Sequence, residues 1–200
     1  RAVATDGHRL ARFQVPLPKG AGNIPGVIVP RKAVNELRKL LDETESSVEI
    51  GLSETKVRFT FDNVTLTSKL IDGTFPDYER VIPTANDKVM EVPCKPFSEA
   101  VDRVSTISTE KSRAVKMALA KGAITLSATS LEQGSATEEL EVSFDGGGME
   151  IGFNARYLLD ITSQIEGENV QFVFADAASP TLVRDGEDAN ALYVLMPMRV

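Results

Sequence analysis

Apolar side chains recur at helical spacing in two stretches of the chain that lie about 120 residues apart. The first stretch follows residues 27–30 and the second follows residues 149–154. Spacings of three and four predict one helix in each stretch, with the same apolar stripe on both. The stripes match residue for residue: Val34 with Leu158, Leu37 with Ile161, and Leu41 with Ile165. Two copies at a domain-sized period indicate duplicated domains.

Alternation of apolar and polar residues predicts antiparallel strands around these helices. A strand pair is predicted after each helix, at 48–61 and 170–183, with further strands at 115–119, 123–128 and 140–144. Another helix is predicted to begin at Pro96, since proline suits a first helical turn. Three glycines at 146–148 are interpreted as a turn, because they lack the Lys-Ser/Thr of a phosphate-binding loop. The predicted class is α+β.

A run of turn-forming residues at 71–78 predicts an extended connector between two domains. The predicted domains are residues 1–83 and 84–200. The second holds the pattern of strand, helix and strands twice, whereas the first holds only its second half. The chain begins with Arg1 rather than methionine, so we expect further sequence upstream.

Composition excludes several classes of protein. A chain that is 42% hydrophobic and 26% charged is typical of a globular protein. No apolar run approaches the roughly 18 residues that a membrane span requires. Cys94 is the only cysteine, which excludes an internal disulfide and a multi-cysteine metal site and is consistent with a reducing cytoplasm.

The net charge of −7 is unevenly distributed. Residues 1–83 hold 12 basic against 11 acidic side chains, whereas residues 84–200 hold 10 against 18. On the predicted helix 31–41, one face carries four basic residues and a single acid, Glu36. A solvated helix surface is one interpretation. A surface that contacts phosphates without reading sequence is the other.

Two further segments are candidate sites. Asp6 and His8 flank a glycine, and they could be the orienting acid and the base of a hydrolase. An Asp-Gly pair is also a common turn signal, and we favour the turn. At the other end of the chain, Pro197 cannot lie inside a central strand, so the last residues leave the sheet or lie at its edge. The two methionines that flank it either fill the core or form an adaptable apolar surface.

Taken together, these segments closely resemble the bacterial DNA sliding clamp family, the beta subunit of the replicative DNA polymerase. The matching pieces follow the order and spacing of the family: 3–11, 28–32, 67–73, 75–78 with 80–83, 149–154, and 196–199. The resemblance implies duplicated clamp-type domains, each with two helices packed on antiparallel sheets. Residues 1–83 would be the second clamp domain, truncated at its N-terminus, and residues 84–200 the third.

The resemblance also implies a function. The family's subunit has three domains and closes as a head-to-tail homodimer around duplex DNA, in the cytoplasm. It is a processivity factor without catalytic residues, cofactor or metal. It tethers polymerase, clamp loader and repair proteins, whose short peptide motifs, built on a glutamine and hydrophobic residues, dock in a hydrophobic groove. The fragment alone is not expected to close a ring.

Site residues are carried over from the family position by position. The implied groove consists of Thr5, Gly7, His8, Arg9, Leu10, Pro76, Arg80, Val81, Asn154, Tyr157, Val194, Leu195, Met196, Pro197, Met198 and Arg199. The implied DNA-facing residues are Arg31, Lys32 and Lys39, and Arg38 is added from the helical wheel alone. The implied subunit interface contains Thr106 and Ile107, although Ile107 could equally belong to the core.

The chain departs from the family pattern at the rim of the groove. Ala178 and Pro180 are smaller or stiffer than is common there, and Ser112 stands where an aromatic residue can occur. Two alternatives remain at this point: a hydrolase centred on Asp6 and His8, and a structural, β-rich interaction module.

Overall fold

The computed structural model describes residues 1–22, 24–42, 44–108 and 113–199. The chain divides into two compact units, one made of Arg1–Pro16 with Glu79–Val200 and the other of Leu17–Tyr78. The helices of the described residues are α1 (Arg31–Leu41), α2 (Cys94–Ser105) and α3 (Ala155–Thr162). Their strands are β1 (Ala2–Thr5), β2 (Arg9–Phe13), β3 (Glu49–Leu52), β4 (Lys56–Phe61), β5 (Val64–Lys69), β6 (Lys88–Pro93), β7 (Ala114–Ala120), β8 (Ala123–Ser130), β9 (Gly134–Glu141), β10 (Met149–Asn154), β11 (Asn169–Phe174), β12 (Thr181–Asp185) and β13 (Ala191–Leu195).

The smaller unit holds α1 and an antiparallel sheet in the order β3-β4-β5. Strand β4 alternates strictly, so Val57, Phe59 and Phe61 are buried on one face. On α1 only Ala33 is buried, and Val34 remains 49% exposed. The core of this unit is therefore small.

The larger unit contains two antiparallel sheets, ordered β1-β2-β13-β12-β11-β6 and β10-β7-β8-β9. One hydrophobic core joins both sheets to α2 and α3. Phe97 of α2 is fully buried, and its ring centroid lies 5.2 Å from that of Phe172 on β11. Large aromatic side chains of this kind supply much of the apolar area that a core buries.

The segment 79–87 runs from one margin of the six-stranded sheet to the other. Arg1, beside the edge strand β1, donates from its guanidinium to the Glu79 carboxylate over 2.9 Å. At the other margin, the N–H of Asp87 donates to the carbonyl of Phe174 on β11 over 3.1 Å. Because the helices cover one face of this sheet, we infer that the segment crosses the opposite face.

Most predicted elements are confirmed, with small shifts at their ends. The helix predicted at 31–41 is α1, and the predicted strands at 115–119 and 123–128 lie within β7 and β8. Helix α2 begins at Cys94, two residues before the predicted start at Pro96. The repeat is also incomplete, since residues 149–154 form β10 whereas residues 27–30 form no strand.

The strand predicted at 140–144 is wrong in its bounds, since β9 spans Gly134–Glu141. Glu138, a charged residue, occupies a half-buried position on β9. Its carboxylate accepts a hydrogen bond there from Arg103 of α2 over 3.1 Å. A charge at an inward position hides the alternation that would mark the strand.

The compact units do not coincide with the predicted domains 1–83 and 84–200. Strand β2 pairs with β13, which places residues 1–16 in one sheet with the C-terminal part of the chain. Packing and sequence repeat therefore divide this chain in different ways, and the predicted domain boundary stays a prediction.

Candidate functional site

A tight turn joins β1 to β2 and projects its polar residues to the surface. Gly7 has a φ of +85°, a conformation that glycine adopts without strain. The Thr5 hydroxyl donates to the carbonyl of Arg9 over 2.8 Å. The Asp6 carboxylate accepts the N–H groups of His8 and Arg9, both at 3.0 Å. The sequence Thr-Asp-Gly-His-Arg thus folds locally into a turn that holds Arg9 in a fixed place.

Arg9 connects this turn to α3. Its guanidinium donates to Asp160 over 2.7 Å and to Asp6 over 3.1 Å. Its Cζ lies 4.2 Å from the centroid of the Tyr157 ring, a cation–π arrangement. Burial lowers the pKa of the Arg9 guanidinium, but the two carboxylates outweigh this effect and the pKa is raised above its usual value.

The Asp6 carboxyl shows the opposite shift. Burial alone would raise its pKa, but the N–H groups of His8 and Arg9 and the Arg9 guanidinium favour the carboxylate, so the pKa is lowered. Asp6 therefore stays ionised near neutral pH.

The last residues leave the sheet as the proline predicts, and they lie between the turn and β10. Strand β13 ends at Leu195. The N–H of Met196 then donates to the carbonyl of His8 over 3.0 Å, and the N–H of Met198 donates to that of Gly152 over 2.8 Å. Met196 is 38% exposed, while Pro197 and Met198 are half-buried. The tail is thus tied by its backbone and leaves apolar side-chain surface open.

The start of α3 completes the arrangement. Asn154 caps the helix, since its side chain accepts the N–H of Arg156 over 3.0 Å. Tyr157, in the first turn of the helix, is half-buried against the core and has the Arg9 guanidinium over its ring. We call the surface formed by residues 5–9, 154–157 and 196–199 the turn–tail site.

Three predicted groove residues have interior side chains. Leu10 and Val194 are opposite partners in the β2–β13 pair, so both point to the same face of the sheet, and neither belongs to the core around α2 and α3. They are 4% and 1% exposed, and Leu195 is fully buried on the helix side. All three side chains therefore expose little surface, and their place in the groove stays a prediction.

The remaining predicted residues are placed as follows. Arg80 and Val81 are exposed on segment 79–87 of the larger unit. Pro76 is exposed and belongs to the smaller unit. Ala178 is exposed and Pro180 half-buried in the β11–β12 connection, and Ser112 lies outside the described residues.

The predicted interface pair lies at the end of α2. Thr106 is exposed, and its hydroxyl donates to the carbonyl of Arg103 over 2.6 Å. Ile107 is half-buried and packs against the unit's own core, as the second interpretation of this residue expected.

The basic helix α1 exposes all four predicted cations, Arg31, Lys32, Arg38 and Lys39, which line a shallow open depression. Only Lys39 has an acidic partner on the helix, Glu36 at 3.2 Å, among the ion pairs of the described residues. Arg31 and Lys32 occupy the first turn, where no acid is present. Cations at a helix N-terminus are unfavourable by about 0.3–1 kcal/mol each, so this end concentrates positive potential.

The hydrolase alternative is not supported. Asp6 accepts the backbone N–H of His8 and the Arg9 guanidinium, so it is committed to the turn. Cys94 is buried, and burial raises the pKa of its thiol, which disfavours a nucleophilic thiolate. Within the described parts of the chain, no group of three or more His, Cys, Asp or Glu side chains could hold a metal ion.

Comparison with known families shows to which protein family this chain belongs. A profile of the C-terminal domain of the DNA polymerase III beta subunit matches residues 79–199. A profile of the central domain of the same subunit matches residues 1–77. The chain belongs to the DNA polymerase III beta subunit family. The resemblance predicted from the sequence is thereby confirmed.

The individual proteins that resemble this chain are beta sliding clamps, which agrees with this family. The beta sliding clamp of Caulobacter vibrioides is 56% identical over 200 residues, which is 100% of this chain and 54% of the relative. The beta sliding clamp of Escherichia coli K12 is 38% identical over the same 200 residues and the same 54% of its length. The chain spans about half the length of the curated relatives it matches.

Solved structures confirm the predicted fold class. A sliding clamp from Bartonella birtlesii bound to griselimycin is 52% identical with a TM-score of 0.95, covering 99% of this chain and 54% of that chain. A sliding clamp from Caulobacter crescentus is 55% identical with a TM-score of 0.93, covering 99% and 53%. The fold is therefore that of the DNA clamps. Among the described residues, no helix is both long and apolar enough to cross a membrane.

Proposed function

We propose that this chain is part of a sliding clamp, a non-enzymatic processivity factor of a bacterial replicative DNA polymerase. In the whole protein, a head-to-tail homodimer of three-domain subunits would encircle duplex DNA in the cytoplasm. The turn–tail site would bind short peptide motifs of polymerase, clamp loader and repair proteins. Family membership supports this function, and the relatives are named beta sliding clamps.

The tail carries the peptide-binding part of the proposal. Met196 exposes 38% of its surface although its own backbone N–H and that of Met198 are hydrogen-bonded and fix the segment. Flexible thioether side chains on a fixed backbone can adapt to different apolar partners. The half-buried Tyr157 ring adds a flat apolar wall. A small apolar site of this kind typically binds a peptide with micromolar affinity, about −8 kcal/mol.

The basic helix carries the DNA-binding part. Four exposed cations on α1, two of them in a first turn without acids, favour contact with phosphates over a solvated surface of mixed charge. Such contacts hold DNA without reading its sequence, which is compatible with sliding.

Domain and interface assignments complete the proposal. We propose that residues 1–83 and 84–200 are parts of the second and third clamp domains. Thr106 would contact a neighbouring subunit, because it is exposed at the end of α2. Ile107 would contribute less, since it packs on its own core.

A binding measurement tests the peptide site. A peptide with a glutamine and a hydrophobic end should bind the chain with micromolar affinity. Replacement of Met196 and Met198 by alanine should weaken binding about tenfold or more, because exposed apolar contact area is lost. Isothermal titration calorimetry measures both affinities. Circular dichroism melting shows whether each variant is folded.

The matched control removes an exposed apolar side chain elsewhere. Leu131 is fully exposed in the β8–β9 turn, so Leu131→Ala should leave the peptide affinity unchanged. Absence of binding to the folded parent chain would contradict the proposed peptide site, and so would equal affinities for the parent and the methionine variant.

A further inference from the structure

The guanidinium of Arg9 is held on three sides. Nη1 donates to Asp160 Oδ2 over 2.7 Å, and Nε donates to Asp6 Oδ2 over 3.1 Å. The Tyr157 ring lies beneath it, with 4.2 Å between Cζ and the ring centroid. The Arg9 side chain is only 29% exposed. The cation is therefore both paired and partly withdrawn from water.

The carboxylates of Asp6 and Asp160 have different structural roles. Asp6 also accepts two backbone N–H groups, so its removal would undo the turn itself. Asp160 lies on α3 with its side chain 48% exposed, and the hydrogen bond that its carboxylate accepts among the described residues comes from Arg9. Asp160 and Arg9 are 151 positions apart in sequence, which is why periodicity and local motifs gave no signal for this pair.

This arrangement decides which chemistry the site offers. Nitrogens at two edges of the guanidinium point at the protein's own carboxylates, and one of its flat faces lies on the Tyr157 ring. Arg9, Asp6 and Asp160 together carry one positive and two negative charges, while the other arginines of the turn–tail site, Arg156 and Arg199, are exposed outside these contacts. An incoming carboxylate would find Arg9 already paired and Asp160 repelling it. An apolar group would meet the tyrosine ring and the aliphatic stem of the arginine instead.

We propose that Asp160 is a positioning residue that keeps Arg9 stacked on Tyr157 and neutralised, and that it thereby makes the turn–tail site select peptides with an uncharged, apolar contacting segment over acidic ones. The inference rests on the proposed function, since it names the chemistry of the peptides that the same site would accept.

Three peptides of one sequence test this selectivity. One is a neutral peptide with a glutamine, hydrophobic residues and blocked ends, and the others carry an additional aspartate at the N-terminus or at the C-terminus. In the parent chain both acidic peptides should bind more weakly than the neutral one. Asp160→Asn should improve the binding of at least one acidic peptide relative to the neutral one by about three- to tenfold, the range of an exposed charge interaction. Asp160→Glu should restore most of the parent's selectivity.

A second background shows whether Asp160 acts through Arg9. In an Arg9→Gln chain, Asp160→Asn should change the ratio of affinities by much less, because no cation is released. The matched control is Glu99→Gln, which removes a helical carboxylate with 54% exposure that pairs with Arg103 at 3.9 Å. This control should retain the parent's ratio. An unchanged ratio in Asp160→Asn, or an equal change in both backgrounds, would overturn the inference.

A readout without peptide separates this failure from failure of the proposed function. The Tyr157 ring should shift the side-chain proton resonances of Arg9 in NMR spectra of the parent chain. Asp160→Asn should move these resonances toward their values in an unfolded chain, and Glu99→Gln should not. If no peptide binds the parent chain, the proposed function fails. If the Arg9 resonances are the same in the parent and in Asp160→Asn, the positioning role fails whatever the peptides do.

Discussion

At the scale of single residues, one buried carboxylate fixes two loops at the end of the six-stranded sheet opposite the turn–tail site. Asp185, at the end of β12, is 7% exposed and accepts N–H groups from Gly167 and Glu187 at 2.9 Å and from Glu166 at 3.1 Å. Burial raises the pKa of this carboxyl, but the N–H donors outweigh it and the pKa lies below its usual value. One carboxylate therefore ties the loop after α3 to the loop before β13.

This carboxylate leads to a prediction about stability and pH. Asp185→Asn should lower the free energy of unfolding at pH 7 by about 1–3 kcal/mol, because buried N–H groups lose their charged acceptor. Since the folded-state pKa is depressed, the contribution is complete above the unfolded value of about 3.9 and is lost as the pH falls through the folded-state pKa. The difference between parent and variant should therefore shrink in strong acid.

Urea unfolding followed by circular dichroism at neutral and acidic pH measures this difference. Glu139→Gln, an exposed carboxylate on β9, is the control and should change stability little at either pH. A difference between the parent and Asp185→Asn that stays constant with pH would show that the carboxylate charge is not involved.

At the scale of elements, the sequence predicts the helices well, but it does not reveal where a charged side chain points into the protein. The stripe of α1 is visible because its apolar residues keep the spacing of three and four. The sequence misplaces strand β9 because the charged residue Glu138 occupies a half-buried position. Its partner there is Arg103, which lies in a distant segment of the chain. The contact between Asp160 and Arg9 was equally hidden, since these residues are 151 positions apart and meet only in the tertiary fold.

Helix α1 provides the prediction for DNA binding. Replacement of Arg31, Lys32 and Lys39 by glutamate should weaken binding to duplex DNA at low ionic strength by about tenfold or more. The dependence of affinity on salt should become shallower as well, because fewer counterions are released from the DNA. Fluorescence anisotropy with a labelled duplex measures both quantities.

A charge-matched variant is the control for this experiment. Replacement of Lys19, Lys56 and Lys69 by glutamate gives the same net charge on exposed sites of the same unit. This variant should retain most of the affinity and of the salt dependence. Equal losses in the two variants would mean that net charge governs binding, and that α1 has no special part.

At the scale of the whole molecule, the repeat predicted two related domains, and family membership agrees with the resemblance that the repeat supported. The compact units were not predictable from the repeat, since the pairing of β2 with β13 joins the first residues to the last strand. The same pairing brings the turn beside the tail. The turn, helix α3 with Tyr157 and the tail thus lie in one unit, whereas the predicted groove residue Pro76 lies in the other.

The burial of Leu10 and Val194 also depends on the whole molecule. Strands β2 and β13 come from opposite ends of the chain, and Leu10 and Val194 become opposite partners only when these strands pair in the six-stranded sheet. The family resemblance implies that both residues belong to the groove, and in the structure they are 4% and 1% exposed.

The most direct test of the account uses the methionine methyl groups as probes of peptide binding. Met196 and Met198 lie in the turn–tail site, whereas Met90 and Met117 are fully buried in the core of the same unit and serve as internal controls. Titration of methyl-labelled protein with the neutral peptide should shift the Met196 and Met198 resonances in NMR spectra and leave those of Met90 and Met117 in place. Binding that leaves the two tail methionines unshifted would contradict the account.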